Sequence, residues 1–241
     1  MIDFKSGFID IHSHLLPMQD GPRSVEQAIR AIQIAEKNNI SDMIFTPHYY
    51  SFDKTYEQNH ITQVFQTIKE EIIRNKIEIN VYLGNECAVD EKIIEDIKSG
   101  RAFTLNKTKY VLCEYPFYLI PCNFSSILYE LLDSGYKPII AHPERNIYIE
   151  SNYSVIQELN RNGCKIQINA ASILGKYDRL CKKYSIKMLK DGIVDYIASD
   201  SHSEIERAPD VLKKAFKQAG RWVNKEYLIK LFVKNAGNLI G

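Results

Sequence analysis

Short apolar segments alternate with longer amphipathic segments along the whole chain. The apolar segments are rich in β-branched and aromatic residues, whereas the amphipathic ones repeat their apolar positions at helical spacing. Seven strands are predicted, beginning near Phe8, Met43, Glu78, Tyr110, Pro138, Lys165 and Val194. Because strands that alternate with helices form parallel sheets, the pattern predicts an α/β fold.

Helix-capping motifs precede two of the predicted helices. Ser24 and Gln27 form a capping box in front of one predicted helix, and the same spacing recurs at Thr55 and Gln58. Two further amphipathic helices close the chain, at about 210–219 and 224–233. No linker, repeat or low-complexity tract interrupts the pattern, so the chain is predicted to form a single domain.

Ionisable side chains follow the carboxyl ends of most predicted strands. Eight such residues stand there, namely His12, His14, His48, Glu86, Glu114, His142, Asp200 and His202. In a closed parallel barrel the carboxyl ends of the strands converge on one face, where such folds place their chemistry. An open sheet would spread the same side chains along a line. The pattern therefore favours a barrel with imidazoles and carboxylates at its mouth.

The first strand carries a His-x-His pair. Side chains on a strand alternate between faces, so His12 and His14 are predicted to emerge on the same side. Neutral imidazoles side by side suit a divalent metal, whereas two imidazolium groups would repel each other. Taken alone, the pair also has the interpretation of surface or core histidines.

The rest of the chain changes that balance, because five of the six histidines stand at strand ends beside three carboxylates. A set of imidazole and carboxylate ligands without sulfur suits manganese, iron or zinc. Eight or nine candidate ligands exceed what one ion uses, so at least two metal ions are predicted.

Composition and charge narrow the class of protein. Hydrophobic residues make up 45% and charged residues 25%, as in an ordinary globular protein. A net charge of +1 gives no electrostatic argument for binding nucleic acid or a membrane surface. No apolar run approaches the ~18 residues that span a bilayer, and no signal peptide is recognisable. A cytoplasmic location is therefore expected.

The five cysteines are widely spaced and include no C-x-x-C pair, as is typical of reduced thiols. None is followed by an arginine six positions further on. The loop of cysteine-dependent phosphatases, in which an arginine lies beside the nucleophilic thiolate, is therefore missing.

Five short motifs follow one another along the chain. They are His-x-His, Thr-Pro-His, Gly-x-Glu, His-Pro-Glu-Arg and Ser-Asp-x-His, ending at residues 14, 48, 86, 145 and 202. In this order they resemble the PHP (polymerase and histidinol phosphatase) superfamily over nearly the whole chain. The likeness is strongest to bacterial CpsB/YwqE-type protein-tyrosine phosphatases, which are metal-dependent enzymes of capsule and exopolysaccharide regulation. The resemblance implies a distorted (β/α)7 barrel, with residues 1–241 as one PHP-type catalytic domain.

The resemblance also implies three divalent metal ions, with manganese favoured and iron, cobalt or zinc as alternatives. The first ion would be held by His12, His14, Glu86 and Asp200. The second would share Glu86 as a bridge and be completed by Glu114 and His142. The third would be held by His48, His202 and Asp20.

Two arginines and two acidic positions bear on the reaction. Arg145 and Arg207 match arginines that bind the substrate phosphate, a task that suits a guanidinium fork. Glu114 stands where histidinol-phosphatase-like members tend to have histidine. Asp20 lies in a loop one residue shorter than the family's, with Gln19 in place of an aspartate.

The resemblance implies a phosphoric monoester hydrolase that dephosphorylates tyrosine on a bacterial tyrosine kinase. Metal ions would activate the attacking water, and the two arginines would stabilise charge on the phosphoryl group. One alternative is a small-molecule phosphomonoesterase of the same superfamily, such as a histidinol-phosphatase. A second alternative is a barrel without activity that serves as a binding module.

Other side chains near the predicted site keep two interpretations. Four aromatic residues could stack on an aromatic substrate or simply pack in the core: Tyr49, Tyr50, Tyr115 and Phe117. Glu144 is a candidate base or an ion-pair partner of Arg145. Asp10 could orient a histidine of the first strand or have a structural role.

Overall fold

Parallel strands run through the middle of the molecule and helices cover them. The computed structural model describes residues 7–18, 20–53 and 58–241, so Gln19 and the predicted cap at Thr55 lie outside the described residues. The strands are β1 (Phe8–Ser13), β2 (Ile40–Phe45), β3 (His48–Tyr49), β4 (Asn80–Leu83), β5 (Glu86–Ala88), β6 (Tyr110–Glu114), β7 (Lys137–Ala141), β8 (Lys165–Asn169) and β9 (Tyr196–Ala198).

Helices separate most of these strands in sequence. They are α1 (Val25–Lys37), α2 (Gln58–Arg74), α3 (Ile93–Lys98), α4 (Phe124–Asp133), α5 (Ile149–Arg161), α6 (Ala170–Leu174), α7 (Arg179–Lys190), α8 (Val211–Ala219), α9 (Lys225–Ile229) and α10 (Asn235–Ile240). The first predicted cap is confirmed, since the Ser24 side chain accepts a hydrogen bond from the backbone N–H of Gln27. Within the described residues, no helix is long and apolar enough to cross a membrane.

The strands form two parallel sheets with the orders β1-β2-β4 and β3-β5-β6-β7-β8-β9. The predicted α/β fold with parallel strands is thereby confirmed. Two short strands that the sequence did not predict, β3 and β5, follow β2 and β4 after short breaks. Pro47, in the break before β3, has no N–H to donate. In the break before β5, the Asn85 side chain donates to the Pro47 carbonyl oxygen at 2.9 Å.

The first and last strands meet at their carboxyl ends. Ser13 pairs with Ser201 as a parallel bridge. The backbone N–H of Asp200 donates to the His12 carbonyl oxygen at 2.9 Å, and that of His14 donates to the Ser201 carbonyl oxygen at 2.7 Å. The two sheets are therefore joined next to the predicted metal ligands, although their ladders do not form one continuous wall.

Apolar side chains pack on one face of the strands. Alternate residues Ile139 and Ala141 of β7, together with Tyr196 and Ala198 of β9, belong to a buried cluster that also contains Leu239 of α10. A larger cluster packs the other strand faces against the helices. The strand faces are thus occupied by apolar side chains, and the candidate ligands lie at the carboxyl ends of the strands or just beyond them.

Two helical regions differ from the prediction. The helix predicted at about 224–233 continues to Ile240, through a π-helical turn at Lys230–Lys234 between α9 and α10. The predicted helix near residues 177–189 is preceded by the separate helix α6, which ends at Gly175 in the left-handed conformation. Five residues are too few for apolar periodicity to distinguish α6 from the preceding strand.

Candidate metal centre

All nine predicted ligands lie together at the carboxyl ends of the strands. Eight of them form four overlapping groups whose ligand atoms lie within 4.8 Å of one another: His12, His14 and Asp200; His12, Glu86 and His142; His14, His48 and Glu86; His14, Asp20 and His202. The ninth, Glu114, places Oε1 at 2.6 Å from His48 Nδ1. Two of the nine, His142 and Asp200, have left-handed backbone with φ of 32° and 51°.

The carboxylate of Glu86 lies at the centre of this cluster. Its Oε2 is 3.2 Å from His12 Nε2, 3.1 Å from His14 Nε2 and 3.3 Å from His48 Nδ1. Its Oε1 is 2.7 Å from His142 Nε2. Both oxygens therefore face imidazole nitrogens, as a carboxylate that bridges two metal ions would.

Asp20 reaches the cluster despite its shorter loop. Its Oδ2 is 2.7 Å from His14 Nδ1, 3.3 Å from His48 Nε2 and 3.7 Å from His202 Nε2. The loop folds back closely, because a Cβ atom at Gly21 would lie 2.1 Å from the Leu16 carbonyl oxygen. Glycine at that position is what allows the approach.

Glu114 contacts the cluster through a different residue from the one assigned to its ion. The resemblance groups it with Glu86 and His142, but its measured contact is to His48. His48 in turn lies 3.3 Å from Glu86. Glu114 is thus at the site, and the division of the nine residues among three ions stays a prediction.

The residues present fit a divalent metal. Four buried ligand atoms face only other atoms of the cluster within the described part of the chain: His14 Nδ1 lies 2.7 Å from Asp20 Oδ2, and His48 Nδ1 lies 2.6 Å from Glu114 Oε1. Ligand atoms that face only one another are positioned to share a divalent cation, which would take the place of the proton between nitrogen and oxygen. Mixed nitrogen and oxygen donors also suit first-row divalent metals.

Burial and neighbouring charges shift the pKa values inside the cluster in opposite directions. Burial lowers the pKa of His12, but the carboxylates of Glu86 and Asp200 more than offset this and raise it to about 9. At His48, too, burial lowers the pKa, but the carboxylates of Glu86 and Glu114 outweigh it and raise the pKa to about 10. Burial raises the pKa of Glu86, yet its histidine neighbours hold it well below the ordinary value. A bound metal would replace the imidazole protons as the counter-charge, so metal binding would release protons.

His202 is the exception among the histidines. Burial and the neighbouring His14 lower its pKa to about 3, so its ring is neutral. Its Nδ1 lies 3.0 Å from the Asp200 carbonyl oxygen and donates to it, while its Nε2 accepts from Arg207 Nη1 at 2.9 Å. The Nε2 atom of His202 therefore faces both Arg207 and Asp20.

Both predicted arginines border the cluster on Asp200. Arg145 Nη1 donates to Asp200 Oδ2 at 3.1 Å, and Arg207 Nη2 forms an ion pair with the same oxygen. Arg207 Nε is buried, and the described residues offer it no hydrogen-bond partner. A guanidinium N–H donor without a partner is suited to an oxyanion.

Aromatic rings hold the Arg145 guanidinium from two sides. Its central carbon lies 4.1 Å from the Phe117 ring centroid and 4.6 Å from that of Tyr177, both within cation–π range. Tyr49 and Tyr115 are buried, so their interpretation as core residues is the one the structure supports. Tyr177 was not singled out from the sequence, because it lies in a loop before α7 and contacts the site only through the tertiary fold.

Asp10 and Glu144 brace the strands around the cluster. Asp10 accepts hydrogen bonds from the Ser199 N–H and hydroxyl, which ties β1 to the end of β9. Glu144 accepts from the Asn169 N–H at 2.8 Å and from the Ser172 hydroxyl at 2.7 Å. These contacts give both carboxylates a structural role at strand junctions.

The cysteines have the properties of structural thiols. Cys87, Cys113, Cys164 and Cys181 are buried, and Cys122 is exposed. Burial raises the pKa of each buried thiol, to about 12 for Cys164 and Cys181. Thiols with such pKa values are poor nucleophiles at neutral pH.

Parallel strands with a cluster of imidazoles and carboxylates at their carboxyl ends define a class of α/β proteins suited to bind divalent metal. The chain belongs to the CpsB/CapC family of capsular polysaccharide synthesis, whose family model matches residues 8–241.

Individual relatives agree with this assignment. CapC of Staphylococcus aureus is 36% identical over 86% of this chain and 82% of its own length. Tyrosine-protein phosphatase YwqE of Bacillus subtilis is 31% identical over 86% of this chain and 85% of its own length. Crystal structures of YwqE from B. subtilis and CpsB from Streptococcus pneumoniae, described as metal-dependent tyrosine phosphatases, include a match with a TM-score of 0.86. That match has 29% identity and covers 91% of this chain and 89% of the other.

Proposed function

We propose that this chain is a metal-dependent protein-tyrosine phosphatase that acts on phosphotyrosine of a bacterial tyrosine kinase in capsule or exopolysaccharide regulation. The observation that carries the proposal is the Glu86-centred ligand cluster with Arg145 and Arg207 at its border. Membership of the CpsB/CapC family and 31% identity to a tyrosine-protein phosphatase support it. The raised pKa values of the buried thiols also favour metal-dependent over cysteine-dependent chemistry.

Three divalent ions, with manganese favoured, are part of this proposal. They would be held by His12, His14, Asp20, His48, Glu86, Glu114, His142, Asp200 and His202. When bound, such ions supply an activated water and withdraw charge from the phosphoryl oxygens. Glu86 is the residue that we assign as the bridge between two of them, because both of its oxygens face imidazoles.

The arginines would hold the phosphate against this cluster. Arg207 has a buried Nε–H without a partner among the residues described, and Arg145 is kept in place by two aromatic rings. Neither arginine is a metal ligand, so both act on substrate through hydrogen bonds and charge. Phenolate is a good leaving group, with a phenol pKa near 10, and needs less protonation than an alkoxide.

One alternative for the same site is an enzyme with a different substrate. A histidinol-phosphatase would act on an alkyl phosphate, whose leaving group requires more help from the metal ions. Glu114 contributes a negative charge to this centre, where histidinol-phosphatase-like relatives tend to have histidine. A more negative centre gives less electrostatic help to the leaving group, which slows the departure of an alkoxide more than that of a phenolate. An inactive binding module is disfavoured, because the ligands and both arginines are in place.

Two expectations from the sequence complete the proposal. We infer that residues 1–241 act as one catalytic domain, because α10 near the end packs with strand residues Ile139 and Tyr196 in a single cluster. We also infer a cytoplasmic location, in agreement with five free cysteines.

The test is substrate preference in the manganese-loaded chain. kcat/KM should be highest for phosphotyrosine peptides, with phosphoserine peptides and histidinol phosphate clearly lower. Chelator treatment should abolish turnover, and added manganese or cobalt should restore it. Equal or better turnover of histidinol phosphate would overturn the tyrosine-phosphatase assignment, and turnover that survives chelation would overturn the metal centre.

A further inference from the structure

Two buried amides on β8 connect two candidate metal ligands, one on β1 and the other just beyond the end of β9. His12 Nδ1 is 2.9 Å from Gln167 Oε1. Gln167 Nε2 donates to Asn169 Oδ1 at 2.8 Å, and Asn169 Nδ2 donates to Asp200 Oδ2 at 2.6 Å. Gln167 and Asn169 are both 0% exposed and, two residues apart on one strand, face the same way. We call these three hydrogen bonds the amide relay.

The direction of the amide relay is fixed from the Asp200 end. An ionised carboxylate only accepts hydrogen bonds, so the NH2 group of Asn169 must face Asp200. The Asn169 carbonyl then faces Gln167 and requires its NH2 group. Gln167 is left with its carbonyl towards His12, which must donate from Nδ1–H. In a neutral imidazole that places the lone pair on Nε2, the atom 3.2 Å from Glu86.

The same hydrogen bonds sort the two oxygens of Asp200. Oδ2 receives Asn169, Arg145 and Arg207. Oδ1 lies on the side of the imidazoles, 3.6 Å from both His12 Nε2 and His14 Nε2. Three donors on one oxygen leave the other available as a metal ligand.

We propose that Gln167 and Asn169 are positioning residues that act as one unit, setting the tautomer of His12 and the metal-facing oxygen of Asp200. This inference rests on the proposed metal centre. Through the amide relay, each ligand depends on the other being correctly oriented. Partners that orient metal ligands in this way typically contribute a factor of about 10–100 in metal affinity.

Manganese affinity of the full-length chain, measured by competition with a chelator, tests the proposal without relying on turnover. Gln167→Met has nearly the shape of glutamine but cannot hydrogen-bond to either neighbour, and Asn169→Leu removes the donor to Asp200. Each is expected to weaken manganese binding about 10–100-fold. Because a broken relay cannot be broken again, the double variant should bind no more weakly than the weaker single variant.

Two further variants separate the relay from general damage. Gln167→Glu keeps an acceptor for His12 while losing the donor to Asn169, and should retain more affinity than Gln167→Met. Asn235→Leu removes a comparable amide hydrogen bond, that of Asn235 Nδ2 to the Asp195 carbonyl oxygen at 2.8 Å, and should bind manganese like the wild type. Circular dichroism in EDTA checks that each variant folds. If Gln167→Met does not fold, Asn169→Leu carries the test.

The outcomes distinguish this inference from the proposed function. Single variants with wild-type affinity, losses that add in the double variant, or an equal loss in Asn235→Leu would each overturn the amide relay. A wild-type chain that binds no manganese would overturn the proposed metal centre and the relay with it. Wild-type binding together with unaffected variants would overturn the relay alone.

Discussion

The inner and outer halves of the ligand cluster differ in how the protein holds them. The inner half consists of His12, Glu86, His142 and Asp200, which are 0%, 1%, 4% and 2% exposed. The outer half consists of Asp20, His48, Glu114 and His202, whose side chains are 24%, 19%, 11% and 15% exposed. His14 joins the two halves, with Nε2 towards Glu86 and Nδ1 towards Asp20.

The difference lies in what satisfies the ligands before any ion binds. Inner ligands have protein partners, such as Gln167 at His12 and Asn169 at Asp200. In the outer half, by contrast, His48 Nδ1 and Glu114 Oε1 face each other at 2.6 Å, and among the residues described neither atom has a hydrogen-bond partner outside the ligand cluster. The inner half is thus preorganised by the fold, whereas the outer half relies on the ions themselves. We expect inner ions to bind more tightly and outer ions to exchange with solvent more readily.

The largest effect is expected at the centre of the inner half. Glu86→Gln keeps the shape of the side chain but removes the charge that faces four imidazoles. Turnover should fall more than ~100-fold, since even residues that only orient ligands contribute 10–100-fold. Metal content by mass spectrometry should fall as well. Glu130→Gln on the exposed face of α4 is the control, and substantial activity in Glu86→Gln would refute the bridging role.

Arg145 tests whether the border of the inner half binds substrate instead of metal. Arg145→Lys keeps the charge but loses the fork that donates to Asp200 and lies between two rings. We expect kcat/KM for a phosphotyrosine peptide to fall by about 100-fold, as for loss of one oxyanion donor. Metal content should be unchanged. Loss of metal would instead make Arg145 a support of Asp200, and exposed Arg179→Lys serves as the control.

The smallest of the three effects is expected in the outer half. Asp20→Ala removes one of the partly exposed ligands, so bound metal should fall by about one ion per chain while the inner ions remain. The rate should fall by roughly tenfold, at the lower end of the range for altered metal sites. Metal-to-protein stoichiometry decides the matter, with exposed Asp133→Ala as control. An unchanged stoichiometry would show that Asp20 is not a ligand.

The sequence predicted the residues of both halves but not their division. Strand periodicity placed His12 and His14 correctly because each follows from local alternation and from position at a strand end. Exposure depends on how loops such as the one bearing Asp20 fold back, and that depends on the close approach at Gly21. Local patterns carry no information about such an approach.

The supports of the inner half were also missed, although a signal existed. In β8, Gln167 and Asn169 alternate with Ile166 and Ile168, which marks a polar inward face in a buried strand. Amides are common in many contexts, so this alternation alone does not point to a metal site. The short strands β3 and β5 were missed because two and three residues are too few to show a period, and Asn85 stabilises the break before β5 through a residue far away in sequence.

The joining of β1 to the end of β9 has a consequence for biosynthesis. Asp10 and Ser199, which hydrogen-bond across this seam, are 189 residues apart in the chain. Contacts of such separation form only after a large loop-closure entropy has been overcome, and they cannot form on the ribosome until β9 has been made. His12 and His14 are therefore synthesised long before their partner Asp200. A nascent chain that ends before β9 would expose two histidines without the carboxylate that completes their site, so the order of synthesis itself delays metal capture until Asp200 has been made.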